Sequence, residues 1–79
     1  MKLLLDLGNT RLKWALQEGA AAWFAHGALD WQAHVGDQLV EAWAGLPRPT
    51  LAVAASVVDG AREGRVAEAV QQVFGCVPY

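Results

Sequence analysis

Apolar and polar residues alternate near the start of the chain in a pattern that predicts a β-hairpin. The apolar run at residues 3–5 predicts a first strand over residues 2–7, apolar on both faces and so covered on both. The second strand places Asn9, Arg11 and Lys13 on one face and its leucines and tryptophan on the other. Gly8 and Asn9 both tolerate the positive φ of a primed two-residue turn, so we expect the turn there.

The rest of the pattern predicts one more strand, then a helix, a strand and a helix. We expect a third strand over residues 21–27 and a buried parallel strand over residues 50–56. A second helix is expected over residues 60–74, ended by Gly75. Residues 76–79 look like the start of a fifth strand. The first helix is expected to begin at Asp30 as N-cap and to carry an apolar stripe of Trp31, Val35, Leu39, Trp43 and Leu46.

This order, βββαβα with a fifth strand begun, indicates an α/β or α+β domain with a mixed sheet. The chemistry is expected at the first turn, where polar groups that suit a phosphate are crowded together. Glycine lets backbone approach an oxyanion, successive N–H groups form an anion-binding concavity, and Lys13 adds a point charge. Asp6 would repel a bare phosphate, so its position indicates a Mg²⁺ held through water between carboxylate and phosphates. A hairpin of this kind needs no ligand, so a structural turn is the alternative.

Residues 6–14, D-L-G-N-T-R-L-K-W, resemble the D-x-G-N-T-x-x-K-W phosphate motif of type III pantothenate kinases. That family, which includes the Bvg accessory factors, belongs to the actin-like ATPase superfamily. A weaker likeness joins residues 55–58 to the family's S-V-V-P segment, with Asp59 in place of the proline. At Ser56 the alternative is a serine that caps a turn. The residues that the resemblance assigns to the ATP phosphates are Asp6, Leu7, Gly8, Asn9, Thr10, Arg11, Leu12 and Lys13, and Asp6 is also expected to hold Mg²⁺ through water. Ser56 is a further candidate for the site, because it ends a predicted strand and ligands collect at the carboxyl ends of strands in an open α/β sheet.

The resemblance implies the ribonuclease H-like half-domain of actin-like ATPases and phosphorylation of pantothenate to 4'-phosphopantothenate, the first step of coenzyme A synthesis. It implies ATP, Mg²⁺ and a monovalent cation, K⁺ or NH₄⁺, as cofactors. The family's general base, second phosphate motif and cation site have no counterpart in residues 1–79. The chain is therefore interpreted as an incomplete N-terminal domain with no catalytic residue of its own, inactive alone. The second domain and the homodimer contact are expected in the missing part.

Two other classes of function stay open. In the first, a protein of the same fold has another function: it is a sugar kinase, another actin-like ATPase or a nucleotide-binding regulator. The other is an interaction module that presents its tryptophans to a partner. Asn9 and Thr10, followed by Lys13 and Trp14, favour the pantothenate branch. ATP binding would separate the interaction module from the rest, and the sequence downstream of Tyr79 would separate the kinases.

Composition narrows the setting of the protein. With 54% hydrophobic residues, the chain is too small to bury all its apolar surface, since a domain of this size buries only about 60% of its total surface. Some of its four tryptophans, at positions 14, 23, 31 and 43, are therefore expected to face another domain or subunit. A net charge of −2 with scattered basic residues argues against nucleic acid. No apolar run suits a signal peptide or membrane span, so a cytoplasmic protein is expected. The lone Cys76 predicts a packed thiol.

Overall fold

A mixed four-stranded sheet and two helices make up the computed structural model, which describes residues 1–19 and 22–77. The sheet has the order β3-β2-β1-β4, with β1 antiparallel to β2 and parallel to β4. The predicted α/β class with a mixed sheet is confirmed. The elements in chain order are β1 (Lys2–Leu7), β2 (Arg11–Glu18), β3 (Ala22–Asp30), α1 (Val35–Trp43), β4 (Leu51–Ser56) and α2 (Gly60–Phe74).

One side of the sheet, here called the helix face, carries the core. The predicted alternation in β2 is confirmed, because Leu12, Trp14 and Leu16 are buried on this face. They lie opposite Leu7, Leu5 and Leu3 of β1, which are also buried. The helices add the buried side chains of Val35, Leu39, Trp43, Val66, Ala69, Val70 and Phe74 to the same cluster.

Trp43 lies at the centre of this core and has no exposed surface. Its ring meets Trp14 edge-on, with ring centroids 6.0 Å apart, and lies 5.4 Å from the ring of Phe74. Such aromatic pairs add to the stabilisation from burial itself. The chain buries Trp14 and Trp43 by itself, so these two are not among the tryptophans expected to face another domain. Trp31 is partly buried, and the side chain of Trp23 lies outside the described part.

The opposite side of the sheet, here called the open face, has no helix packed on it among the described residues. Lys2 and Asp6 are exposed on it, and Phe24 and Val53 keep 48% and 38% of their surface exposed. The prediction that both faces of β1 are covered is wrong for this part of the chain. The apolar run at residues 3–5 predicted burial on both faces, but Leu4, which points to the open face, is only partly buried.

The first helix begins later than its apolar spacing predicts. Asp30 is the last residue of β3, and its carboxylate binds the Arg11 guanidinium at 3.2 Å instead of capping a helix. The helix starts at Val35, with His34 in the N-cap position and no side-chain cap. Trp31 precedes the helix but packs on the same core, so it matched the helical period without belonging to the helix.

The second helix has the predicted bounds, residues 60–74. Asp59 caps it by accepting a hydrogen bond from the Arg62 backbone N–H at 2.9 Å, a role that the sequence did not reveal. Gly75 ends it with a left-handed φ of 69°, as predicted. Neither α1 nor α2 of the described residues is long and apolar enough to cross a membrane.

Some predicted strand residues fall at or beyond the limits of the description. Cys76 and Val77, the start of the predicted fifth strand, belong to no strand. Pro78 and Tyr79 lie outside the described residues, as does residue 21, the predicted start of β3. The fifth strand therefore stays a prediction.

Gly27 of β3 is required by the packing of Trp14. A Cβ at this position would lie 2.7 Å from Nε1 and 2.9 Å from Cε2 of Trp14, which cannot move freely because Trp43 lies against it. We expect Gly27→Ala to lower the free energy of unfolding by about 1–3 kcal/mol, the usual cost of overpacking. Chemical denaturation measures this loss.

Gly64→Ala is the matched control, because an added Cβ at this helical glycine meets nothing within 4 Å. Alanine favours a helix over glycine by about 1 kcal/mol, so this variant should be as stable as the wild type or more so. Equal stability of the wild type and Gly27→Ala would show that the Trp14 contact is not tight.

Candidate functional site

A cavity of about 400 Å³ opens beside the turn between β1 and β2. The turn, the ends of β1 and β3, and the start of β2 all contribute to its lining. The structure thus brings together most of the polar residues predicted for the site and adds Asp30. The lining residues are Asp6, Gly8, Thr10, Arg11, Lys13 and Asp30.

The turn itself differs from the predicted one. The Gly8 N–H donates to the Arg11 carbonyl at 3.1 Å, so the chain reverses at Asn9 and Thr10 instead of Gly8 and Asn9. Among the described residues, positive φ occurs only at glycines 19, 45 and 75, so the expected primed turn is wrong. Gly8 instead lies close to the opposite strand: a Cβ there would lie 3.1 Å from the Arg11 carbonyl oxygen, a tight contact. Glycine permits this close approach of the two strands.

Asp6 and Lys13 face each other across β1 and β2. They are direct register partners on the open face, and both are exposed. In the described part of the chain, neither side chain has a hydrogen-bond or ion-pair partner. Side chains directly opposite on antiparallel strands have Cβ atoms about 4.5–5.5 Å apart. A carboxylate and an ammonium are therefore both available to a ligand at the cavity.

Arg11 differs from Lys13 in that it already has a partner. Its Nε donates to Asp30 Oδ1 at 3.2 Å, with the two side chains 57% and 64% exposed. An exposed ion pair of this kind is worth about 0–1 kcal/mol, so it holds Arg11 only weakly at the wall of the cavity.

The remaining predicted residues divide by position. Asn9 is exposed at the tip of the turn. Leu7 and Leu12 are buried in the core, so only their backbone could contact a ligand. Ser56 does not line the cavity; its Oγ accepts a hydrogen bond from the Val58 N–H at 3.4 Å, in the manner of a turn cap. A part for Ser56 in nucleotide binding stays a prediction.

Two residues that contact the turn were not identified from the sequence. The Trp31 indole Nε1–H donates to the Gly8 carbonyl at 2.7 Å, and Arg62 Nη1 donates to the Asn9 carbonyl at 3.4 Å. These pairs are separated by 23 and 53 positions, respectively. No local sequence pattern predicts contacts between residues so far apart in the chain. Trp31 matches the apolar period of the predicted first helix, which gives no sign of its contact with the turn.

The donor set fits a metal ion that arrives with phosphates. In the described part of the chain, no three His, Cys, Asp or Glu side chains come together as a metal-binding group. Mg²⁺ is commonly held by one or two carboxylates plus phosphate oxygens and waters, not by a cage of protein ligands. The exposed, unpaired carboxylate of Asp6 beside the cavity suits that mode.

The fold and the cavity define a class of protein: a mixed-sheet α/β domain whose first hairpin carries a carboxylate and an ammonium beside its turn. Residues 2–79 match the family model of type III pantothenate kinase, and the chain belongs to that family.

Individual relatives agree with this assignment. The chain is 42% identical over 72 residues to the type III pantothenate kinase of Paracidovorax citrulli (strain AAC00-1). The aligned segment covers 87% of this chain and 28% of that protein. It is 40% identical over 73 residues to the type III pantothenate kinase of Leptothrix cholodnii (strain ATCC 51168 / LMG 8142 / SP-6), and this alignment covers 87% of the chain and 27% of that protein. The chain therefore spans little more than a quarter of the length of the relatives that it matches.

Proposed function

We propose that this chain supplies the ATP-phosphate site of a type III pantothenate kinase, which transfers a phosphoryl group from ATP to pantothenate and forms 4'-phosphopantothenate. This reaction is the first step of coenzyme A synthesis. One observation carries the proposal: Asp6 and Lys13, exposed and unpaired in the described part of the chain, face each other across β1 and β2 beside the turn at Asn9 and Thr10. The family's name supplies the substrate.

Several residues of the hairpin have a defined task in this proposal. Phosphoryl transfer needs positioning and charge neutralisation more than covalent chemistry from the protein. The backbone N–H groups of Asn9 and Thr10 donate to phosphate oxygens, and Lys13 adds a positive charge. Asp6 holds Mg²⁺ through water, and the bound ion supplies further positive charge to the phosphates. Leu7 and Leu12, buried in the core, anchor both ends of the turn.

The other parts of the reaction belong to a second domain outside residues 1–79. We place there the general base for the pantothenate hydroxyl, a second phosphate loop, the K⁺ or NH₄⁺ site and the homodimer contact. Asp6 is a poor candidate for the base, because it lies on the phosphate hairpin. In this proposal the chain forms one wall of an actin-like nucleotide cleft, and the protein works in the cytoplasm.

An ADP-release assay on the complete protein tests the proposal. Release of ADP should require both pantothenate and Mg²⁺, and sugars should not replace pantothenate. ADP release that follows a sugar and ignores pantothenate would favour a sugar kinase and reject the proposal. Lack of nucleotide turnover with any acceptor would reject it as well.

Lys13→Ala separates a phosphate contact from a structural role. We expect the variant to bind ATP about 10–100-fold more weakly, the usual effect of losing a hydrogen bond to a charged group, with adenosine binding unchanged. Titration calorimetry with the two ligands measures the difference.

Lys2→Ala is the matched control. Lys2 is exposed like Lys13, but it lies on β1 at the end remote from the turn. It should leave both affinities unchanged. If Lys13→Ala weakened ATP and adenosine equally, the lysine would not contact a phosphate.

A further inference from the structure

Two side chains hold the turn from the side of the helices. The indole of Trp31 donates to the Gly8 carbonyl at 2.7 Å, and the guanidinium of Arg62 donates to the Asn9 carbonyl at 3.4 Å. The two donors also contact each other, since the Arg62 Cζ lies 5.4 Å from the centroid of the Trp31 ring. Two consecutive carbonyls of the turn are thus bound by one cation–π pair.

Binding these carbonyls fixes the directions of the next two amides. A trans peptide is planar, so its N–H points opposite to its C=O. The Gly8 carbonyl is drawn toward Trp31, so the Asn9 N–H points away from Trp31. In the same way, the bond from Arg62 to the Asn9 carbonyl turns the Thr10 N–H away from Arg62. Both amides are thereby directed away from the side on which the helices lie.

The two donors are themselves firmly placed. Arg62 lies in the first turn of α2, where its backbone N–H is bound by the Asp59 cap at 2.9 Å. Trp31 is partly buried and packs against the core. The turn that they hold contains exposed residues and follows a glycine, whose backbone loses more freedom on ordering than that of any other residue. The order of the turn amides therefore depends on the hydrogen bonds that Trp31 and Arg62 donate to the turn.

We propose that Trp31 and Arg62 are positioning residues that set the Asn9 and Thr10 amides in place to receive the phosphates of ATP. This inference rests on the proposed function and names the part of the chain that organises that site before the ligand arrives. Neither side chain lines the cavity, so they act through the turn and not by contact with the nucleotide.

Three variants of the complete protein test this role. Trp31→Phe keeps an aromatic ring under Arg62 and removes only the indole donor. Arg62→Met removes the cation and its donor, and Arg62→Lys restores a cation. We expect Trp31→Phe and Arg62→Met each to raise the KM for ATP about five- to tenfold, as for the loss of one hydrogen bond, with the KM for pantothenate unchanged. Arg62→Lys should recover part of the loss.

A second readout is independent of turnover. In protein labelled at the tryptophan indole nitrogens, the Trp31 N–H signal is identified by its absence from Trp31→Phe. It should exchange slowly with solvent in the nucleotide-free wild type and faster in Arg62→Met. Arg65→Met is the matched control on the same helix, because Arg65 is exposed and away from the cavity. It should change neither readout.

The outcomes separate the inference from the function on which it rests. An active wild type whose KM for ATP is unchanged in Trp31→Phe and Arg62→Met would overturn the inference alone. So would equal rises in both KM values, which would indicate general loosening of the fold. A wild type without pantothenate-dependent turnover would reject the proposed function, and the inference with it.

Discussion

Asp6→Asn in the complete protein is expected to reduce kcat by about two to three orders of magnitude, the range found when one preorganised electrostatic group is removed from an active site. The change keeps the size of the side chain and removes the charge that we assign to Mg²⁺. Asp6 is exposed and, in the described part of the chain, has no partner, so its loss should leave the fold intact. Steady-state kinetics at limiting Mg²⁺, with thermal unfolding alongside, measures both effects.

Asp37→Asn is a suitable control for this prediction. Asp37 is an exposed carboxylate in the first turn of α1, and it does not line the cavity. Its variant should retain wild-type kcat. If Asp6→Asn stayed within about a factor of two of the wild type, a difference under ~0.5 kcal/mol in the barrier, the assignment of Asp6 to Mg²⁺ would be wrong.

Residues 1–79 expressed alone are expected to show no pantothenate-dependent turnover and weak or no ATP binding. The cavity beside the turn is lined by one domain only, and nothing in the described residues closes it against water. The isolated chain should also self-associate through the open face of the sheet, where Phe24 and Val53 are exposed.

An ADP-release assay and light scattering on this chain check both statements. Substrate-dependent turnover from a clean monomer would contradict the two-domain proposal. Tryptophan emission is a poor reporter of association here, because Trp14 and Trp43 are already buried within the chain.

The sequence predicted those features that depend on local patterns. The alternation in β2 identified its buried face, and the bounds of β1 and α2 agree with the structure. The candidate site could be located because its polar residues lie within eight consecutive positions, residues 6–13, and the hairpin register brings Asp6 opposite Lys13. Local information was therefore sufficient for most of the candidate site.

Features that depend on distant partners could not be predicted. Asp30 has the properties of an N-cap, but the cross-strand pairing places it opposite Arg11, whose guanidinium binds it. Trp31 fits a helical period, yet its indole is held by a carbonyl 23 positions away. The predicted turn lies one residue too early, because it assumes a positive φ at Gly8 that the structure does not have. The actual constraint at Gly8 is contact with the Arg11 carbonyl.

The most direct test of the central claim is a crystal structure of the complete protein with Mg²⁺ and a non-hydrolysable ATP analogue. We expect the terminal phosphates in the cavity between Asp6 and Lys13, with oxygens about 3 Å from the Asn9 or Thr10 amide nitrogens, the distance of an ordinary hydrogen bond. Mg²⁺ should lie between those phosphates and Asp6, linked to the carboxylate through water. Phosphates bound elsewhere, with no contact to the hairpin of β1 and β2, would contradict the claim.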